Sequence, residues 1–113
     1  MDKQTGNIEE MTNQILDLEI GTKIRVLSPV VHGEKGTHKD LFEKLRKDGY
    51  IRVKVDEELK DLSEELELEK NKKHNISVII DRLVIKEGIR SRLYSSLETA
   101  TGLGNGKVII DVV

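Results

Sequence analysis

The chain has no cysteine and a single proline in 113 residues. Without thiols it can hold no disulfide or zinc–thiolate centre, and it has no cysteine nucleophile. A chain free of cysteine also fits a reducing cytoplasm. Aromatic residues make up 3% of the sequence (Phe42, Tyr50 and Tyr94), too few for the stacking platform of a single-strand binder. No apolar run approaches the length of a membrane span. The opening Met1-Asp2-Lys3-Gln4-Thr5-Gly6 is polar and lacks the apolar core of a secretory signal. Charge of one sign is also missing. The net value is -2, so bulk electrostatics do not favour a polyanion or an anionic membrane.

What remains is an ordinary globular balance, 35% charged and 36% apolar. The length favours one domain, able to bury about two-thirds of its unfolded surface. Residues 1–6 read as a flexible leader and 7–113 as a single α+β domain. Ile8, Met11, Ile15 and Leu18 recur at helical spacing, with Asn7 as cap and Gly21 as stop. Thr22 to Leu27 is β-branched and alternating, a strand that ends, bulges or lies on an edge at Pro29. His32 to Gly36 reads as a flexible turn. Thr37 then caps a second helix, with Asp40 in the capping-box position and Leu41, Phe42 and Leu45 as its apolar face. Gly49 closes that helix.

Tyr50 to Val55 alternates, with Ile51, Val53 and Val55 on one face and Tyr50, Arg52 and Lys54 on the other. Residues 56–69 form an acidic hairpin or irregular arm, and Lys70 to Lys73 a turn. A long strand follows from Asn75 to Ile85. Gly88 breaks it, and Ile89, Leu93 and Leu97 mark a third helix. Gly102, Gly104 and Gly106 end that helix before a last strand, Lys107 to Val113. With the first helix set aside, the order is the βαββαβ of a ferredoxin-like fold. That fold is an antiparallel sheet with helices on one face, here with an N-terminal helix and an acidic arm added.

The strands Ile76–Ile85 and Val108–Val113 are apolar at both parities, whereas a sheet covered on one face should alternate. Either the first helix and the arm cover the second face, or another protein does.

Catalytic and ligand motifs fail in detail. In Gly102-Leu103-Gly104-Asn105-Gly106-Lys107, Thr101 stands where a P-loop needs its first glycine, and Val108 follows the lysine. The segment also runs from helix to strand, opposite to a phosphate cradle. His32 and His38 are six apart and His74 is distant, which is no closed metal shell. Gly33, Lys35 and Gly36 before a helix could hold a phosphate, but Glu34 opposes it and an ordinary turn is favoured. The acids Glu57, Glu58, Asp61, Glu64, Glu65, Glu67 and Glu69 read as a solvated face. No catalytic constellation can be assembled, so no enzyme is expected.

The basic residues are more informative. Arg52 and Lys54 project from the polar face of a strand. Arg82 interrupts an apolar strand beside Asp81, where an arginine must be paired, exposed or in use. Arg90 and Arg92 open the last helix, where its dipole disfavours them.

Several segments together resemble a slice of the UvrA family of excision-repair ATPases. They are Ile24-Arg25-Val26-Leu27-Ser28-Pro29-Val30-Val31 with Gly33-x-Lys35-Gly36-x-His38, Leu45 to Asp56, Lys72-Lys73-His74 through Val84, and Ser95-Ser96-Leu97-Glu98-Thr99-Ala100. They lie in order and cover almost the whole chain from Ile8. The resemblance implies the inserted domain that docks UvrB, loading it at DNA damage. It places ATP, zinc and the Walker and signature motifs in the parent protein, with no cofactor in this chain. It also implies Arg52 and Arg82 as partner contacts; Lys54, Asp81, Arg90 and Arg92, singled out from the residues themselves, are candidate secondary contacts. The expected fragment is a monomeric cytoplasmic docking module that meets DNA weakly or indirectly. The alternative is a duplex-DNA surface built from Arg52, Lys54, Lys72, Lys73, Arg90 and Arg92. Two departures from the family stand out. His32 and Glu34 replace arginines of many relatives, and Asp56-Glu57 stands where Asp-Gly is common.

Overall fold

The computed structural model describes residues 3–4 and 7–113. The elements are β1 (Lys3–Gln4), α1 (Ile8–Leu16), β2 (Lys23–Lys35), α2 (Lys39–Lys47), β3 (Arg52–Val55), β4 (Glu58–Asp61), β5 (Lys73–Val84), α3 (Arg90–Leu103) and β6 (Val108–Val112). Hydrogen bonding joins the strands in the order β1-β6-β2-β5-β3-β4. The inner order β6-β2-β5-β3, with helices between the strands of each half, is that of the ferredoxin-like α+β fold. Of the six residues read as a leader, four lie outside the described residues; Lys3 and Gln4 pair antiparallel with Ile109 and Val108. Among the described residues no helix is long and apolar enough to cross a membrane.

The chain forms two compact units, Met1–Ser28 with Ile80–Val113, and Pro29–Ile79. In the first, α1 starts where Asn7 was read as its cap: the Asn7 side chain accepts from the Glu10 N–H at 2.7 Å. Met11 and Ile15 of α1 join Ile24, Val26, Leu83, Ile85, Leu93, Leu97, Val108 and Ile110 in one buried core. Antiparallel pairing sets Ile24 opposite Val112 and Val26 opposite Ile110. The α3 helix runs through Gly102 and stops at Gly104. Gly104 is required by space: a Cβ there would lie 2.6 Å from both the Lys107 carbonyl and Ser28 Oγ. Ser28 itself is buried and donates to the Ala100 carbonyl at 2.7 Å.

In the second unit, β3 and β4 form a two-residue hairpin with Val55 opposite Glu58. Its turn residues Asp56 and Glu57 both have positive φ, 49° and 72°, the requirement of a type I′ turn. Val53 and Val55 pair with Val78 and Ile76 of β5, and all four are buried. Phe42 and Leu45 of α2 and Leu62 and Leu66 of the arm are buried in the same unit.

Three local expectations change. The turn read over His32–Gly36 belongs to β2 as far as Lys35, and β2 passes through a buried Pro29. The second helix starts after His38, not Thr37; His38 is left-handed (φ 55°) and offers no side-chain cap. Its ring instead meets the Glu34 carbonyl at 3.0 Å. Ile51, assigned to the buried face of β3, is 69% exposed.

The both-parity pattern of β5 also has an explanation, and β2 behaves alike. In β5 the buried positions are His74, Ile76 and Val78, then Leu83, so the buried parity switches between 78 and 83. In β2 it switches between Val26 and Pro29, from Ile24 and Val26 to Pro29 and Val31. Each half of a long strand alternates on its own, and the two halves are out of phase.

Candidate protein-docking interface

Arg82 lies on β5 in the first unit and is exposed. Its guanidinium makes no hydrogen bond or ion pair among the described residues. The neighbouring carboxylate, Asp81, is taken by another arginine. Arg92 of α3 grips it at two points, Nε to Oδ2 at 3.1 Å and Nη2 to Oδ1 at 2.8 Å. Ser96 Oγ donates to Asp81 Oδ2 at 2.7 Å, and the Arg82 N–H donates to Oδ1 at 2.8 Å. Burial pushes the Asp81 carboxyl up, but bonds from Arg92, Ser96 and the Arg82 N–H, with the Arg92 charge, hold it below the usual carboxylate value. The same pair, bond first and charge second, raises Arg92.

This settles why two cations can open α3. Its first turn holds no acidic residue. Asp81 supplies the missing negative charge from β5, and Arg90 Nη2 donates to Asn13 Oδ1 of α1 at 2.8 Å. Arg25, paired with Asp111 at 3.6 Å, is likewise engaged. Among the arginines of this unit, Arg82 therefore stands out as the one without a bond inside the fold. It lines an open hollow of about 240 Å³ with Lys23, Ile24, Leu83, Val84 and Val113. Val84 and Val112 in this unit are 40% and 50% exposed, and Ile20 80%.

Arg52 lies on β3 in the second unit, exposed, with Asp61 of β4 directly across the ladder. Its guanidinium also makes no hydrogen bond among the described residues. Asp61 accepts from the Ser63 N–H at 2.8 Å, and that bond, ahead of the Arg52 charge, keeps its carboxyl low. Lys54 is half-buried, lies opposite Leu59, and reaches Glu57 at 3.4 Å. Leu59 is 45% exposed beside it. Arg52 thus offers a charge on a partly apolar surface of its own unit.

Three groups escaped the sequence reading. Arg46 of α2 sends Nε to the Leu62 carbonyl and Nη2 to the Glu64 carbonyl at 2.9 Å, tying the arm to the helix. His74 is buried between Asp56 Oδ2 at 2.7 Å from Nδ1 and the Glu69 carbonyl at 2.8 Å from Nε2. Asn75 donates its N–H to Asp56 Oδ1 and accepts from the Gly33 N–H, both at 2.8 Å. With an acceptor at each ring nitrogen, His74 is raised above its ordinary value, first by the Asp56 bond and then by the Glu69 carbonyl. The sequence signal was Asp56, in the turn that it forms with Glu57. The acids of the arm, apart from half-buried Asp61, are exposed, as a solvated face requires. Among the described residues no group of three or more potential metal ligands is gathered.

The family model of the UvrA interaction domain matches residues 4–113. UvrABC system protein A of Bacillus subtilis (strain 168) is 54% identical over 106 residues, 94% of this chain and 11% of that protein. The namesake from Lactococcus lactis subsp. lactis (strain IL1403) is 54% identical over 105 residues, 93% of this chain and 11% of its own length. That of Streptococcus mutans serotype c is 49% identical over 108 residues, 96% and 12%. The chain therefore spans about a tenth of the length of these relatives. A match across nearly all of its residues makes it a member of the UvrA interaction domain family.

Proposed function

We propose that this chain is the docking module through which a UvrA-type repair protein engages UvrB, loading it at damaged DNA in nucleotide excision repair. The observation that carries the reading is a contrast among the arginines. Arg25, Arg46, Arg90 and Arg92 each serve a bond inside the fold, whereas Arg52 and Arg82 do not. Each of the two stands exposed beside apolar side chains, the setting in which an arginine can grip a carboxylate with two parallel bonds. Lys54 is a rim contact. Asp81, Arg90 and Arg92 are secondary, because each is already engaged inside the fold.

The duplex-DNA reading loses most of its stripe. Of its six residues, Lys54, Lys72, Arg90 and Arg92 already hold Glu57, Glu69, Asn13 and Asp81. The overall charge of -2 adds no attraction. Pull-down of UvrB by the wild-type chain, Arg52→Ala, Arg82→Ala and the double variant tests the assignment. Each single change should cost about 2 kcal/mol or more, roughly thirtyfold in Kd. Unchanged capture by the double variant would remove both residues from the interface. A gel shift with damaged and intact duplex at low salt is the companion test; tight binding by this chain alone would favour the DNA surface.

A further inference from the structure

We propose that Asp81, held by Arg92 and Ser96, is a positioning residue that fixes the backbone from which Arg82 projects. The proposal rests on Arg82 being a docking contact. Its basis is the convergence of bonds on one peptide. The Arg82 N–H is anchored on Asp81 Oδ1 at 2.8 Å. Arg92 Nη2 lies 3.4 Å from the Arg82 carbonyl while gripping the same Asp81 oxygen at 2.8 Å. Ser96 occupies the other carboxylate oxygen at 2.7 Å together with Arg92 Nε. Asp81 thus accepts four hydrogen bonds, three from α3 and one from the residue it positions.

The location gives the brace something to do. Between Val78 and Leu83 the buried parity of β5 switches, so regular alternation does not dictate which way Arg82 points. A strand in the midst of such a switch needs another constraint, and the charged clamp from α3 provides one. The Asp81 side chain is 22% exposed and the Arg92 side chain 60%. The brace is therefore half-shielded at the carboxylate and open at the arginine, a place where loss of the bonds leaves the core in place. Holding a long side chain in its binding geometry before the partner arrives reduces the ordering cost of association.

The test is a double-mutant cycle on UvrB affinity, with nuclear magnetic resonance of the unbound chain beside it. Arg92→Ala should weaken binding about fivefold in the wild-type background and leave it unchanged in the Arg82→Ala background, since coupled neighbours are not additive. Arg92→Lys, which restores charge without the two-point grip, should recover only part of the loss. In the unbound chain the Arg82 amide resonance should follow the titration of Asp81. Exchange of that amide should speed up in Arg92→Ala while the core amides of α3 are unchanged. An equal loss in both backgrounds would mean that Arg92 acts on the partner by itself and would overturn the proposal. So would full recovery by lysine, or an Arg82 amide indifferent to Asp81 and Arg92. If Arg82→Ala binds like wild type, the docking reading fails and the positioning role with it. The amide data then still report whether the brace exists, so the two failures are distinguishable.

Discussion

The two compact units solve the problem of holding chain segments together with different chemistry. The first gathers residues from α1, β2, β5, α3 and β6 into one apolar core, with the Asp81 clamp at its edge rather than between its connecting segments. The second also buries apolar side chains, but its connecting segments are tied by polar groups. Arg46 holds the arm through two carbonyls, and His74, Asp56 and Asn75 join Gly33, the β3–β4 turn and Glu69. An apolar core is indifferent to pH and depends on volume. A polar clamp is worth little net but is costly to break where it is buried, and it titrates. The contrast teaches where each unit is vulnerable.

The largest expected effect is in the first unit. Leu97→Ala removes a fully buried side chain and should destabilise by about 3 kcal/mol, read as a lower midpoint in urea unfolding. A loss below about 1 kcal/mol would contradict the picture of a close-packed core. Gly104→Ala, which drives a methyl into Ser28 Oγ and a carbonyl, should cost about 1–3 kcal/mol by thermal melting. In the second unit, Arg46→Ala should cost about 1–2 kcal/mol, with hydrogen exchange rising in the arm more than in α3.

The titration of the clamp sharpens the contrast further. His74 is raised, so its contribution is complete below its ordinary value near 6.5 and is lost as pH climbs through the folded value. Burial raises Asp56, but bonds from His74 and the Asn75 N–H and the charges of His74 and His38 bring it below 3.8. Its contribution is complete above 3.8 and is lost on acidification through the folded value. The clamp is therefore strongest from about pH 4 to 6.5, between the two ordinary values. The gap in melting temperature between wild type and His74→Gln should be wider at pH 6 than at pH 9. A constant gap would show that His74 acts by packing alone. The smallest effect is a gain. Glu57→Gly relieves a positive φ and should stabilise by about 0.5–1 kcal/mol, the loss of an exposed pair with Lys54 being minor.

What could be read from the sequence was local in origin. The Asn7 cap, the alternation of Val53 and Val55, the last helix and the order of elements all depend on neighbours a few positions away. So did the prominence of Arg52 and Arg82, since a cation in a strand is conspicuous wherever the strand lies. The course of β2 through Pro29 was not legible, because a change of buried parity depends on what covers each half. Ile51 failed for the same reason: it shares the parity of Val53 and Val55 and its carbonyl accepts from the Leu62 N–H at 2.8 Å, but just before β3 that face is left exposed. Arg46 and His74 were hidden because Leu62 and Asp56, which they meet, lie 16 and 18 residues away, beyond any local pattern. Arg92 looked like a surface cation until α3 brought it to Asp81.

The most direct test is isothermal titration of this chain against purified UvrB at two salt concentrations, first with wild type and then with Arg52→Ala and Arg82→Ala. Docking through these arginines predicts saturable one-to-one binding that weakens as salt rises, and a lower affinity for each variant. A folded chain that shows no binding, or variants that bind as tightly as wild type, would contradict it.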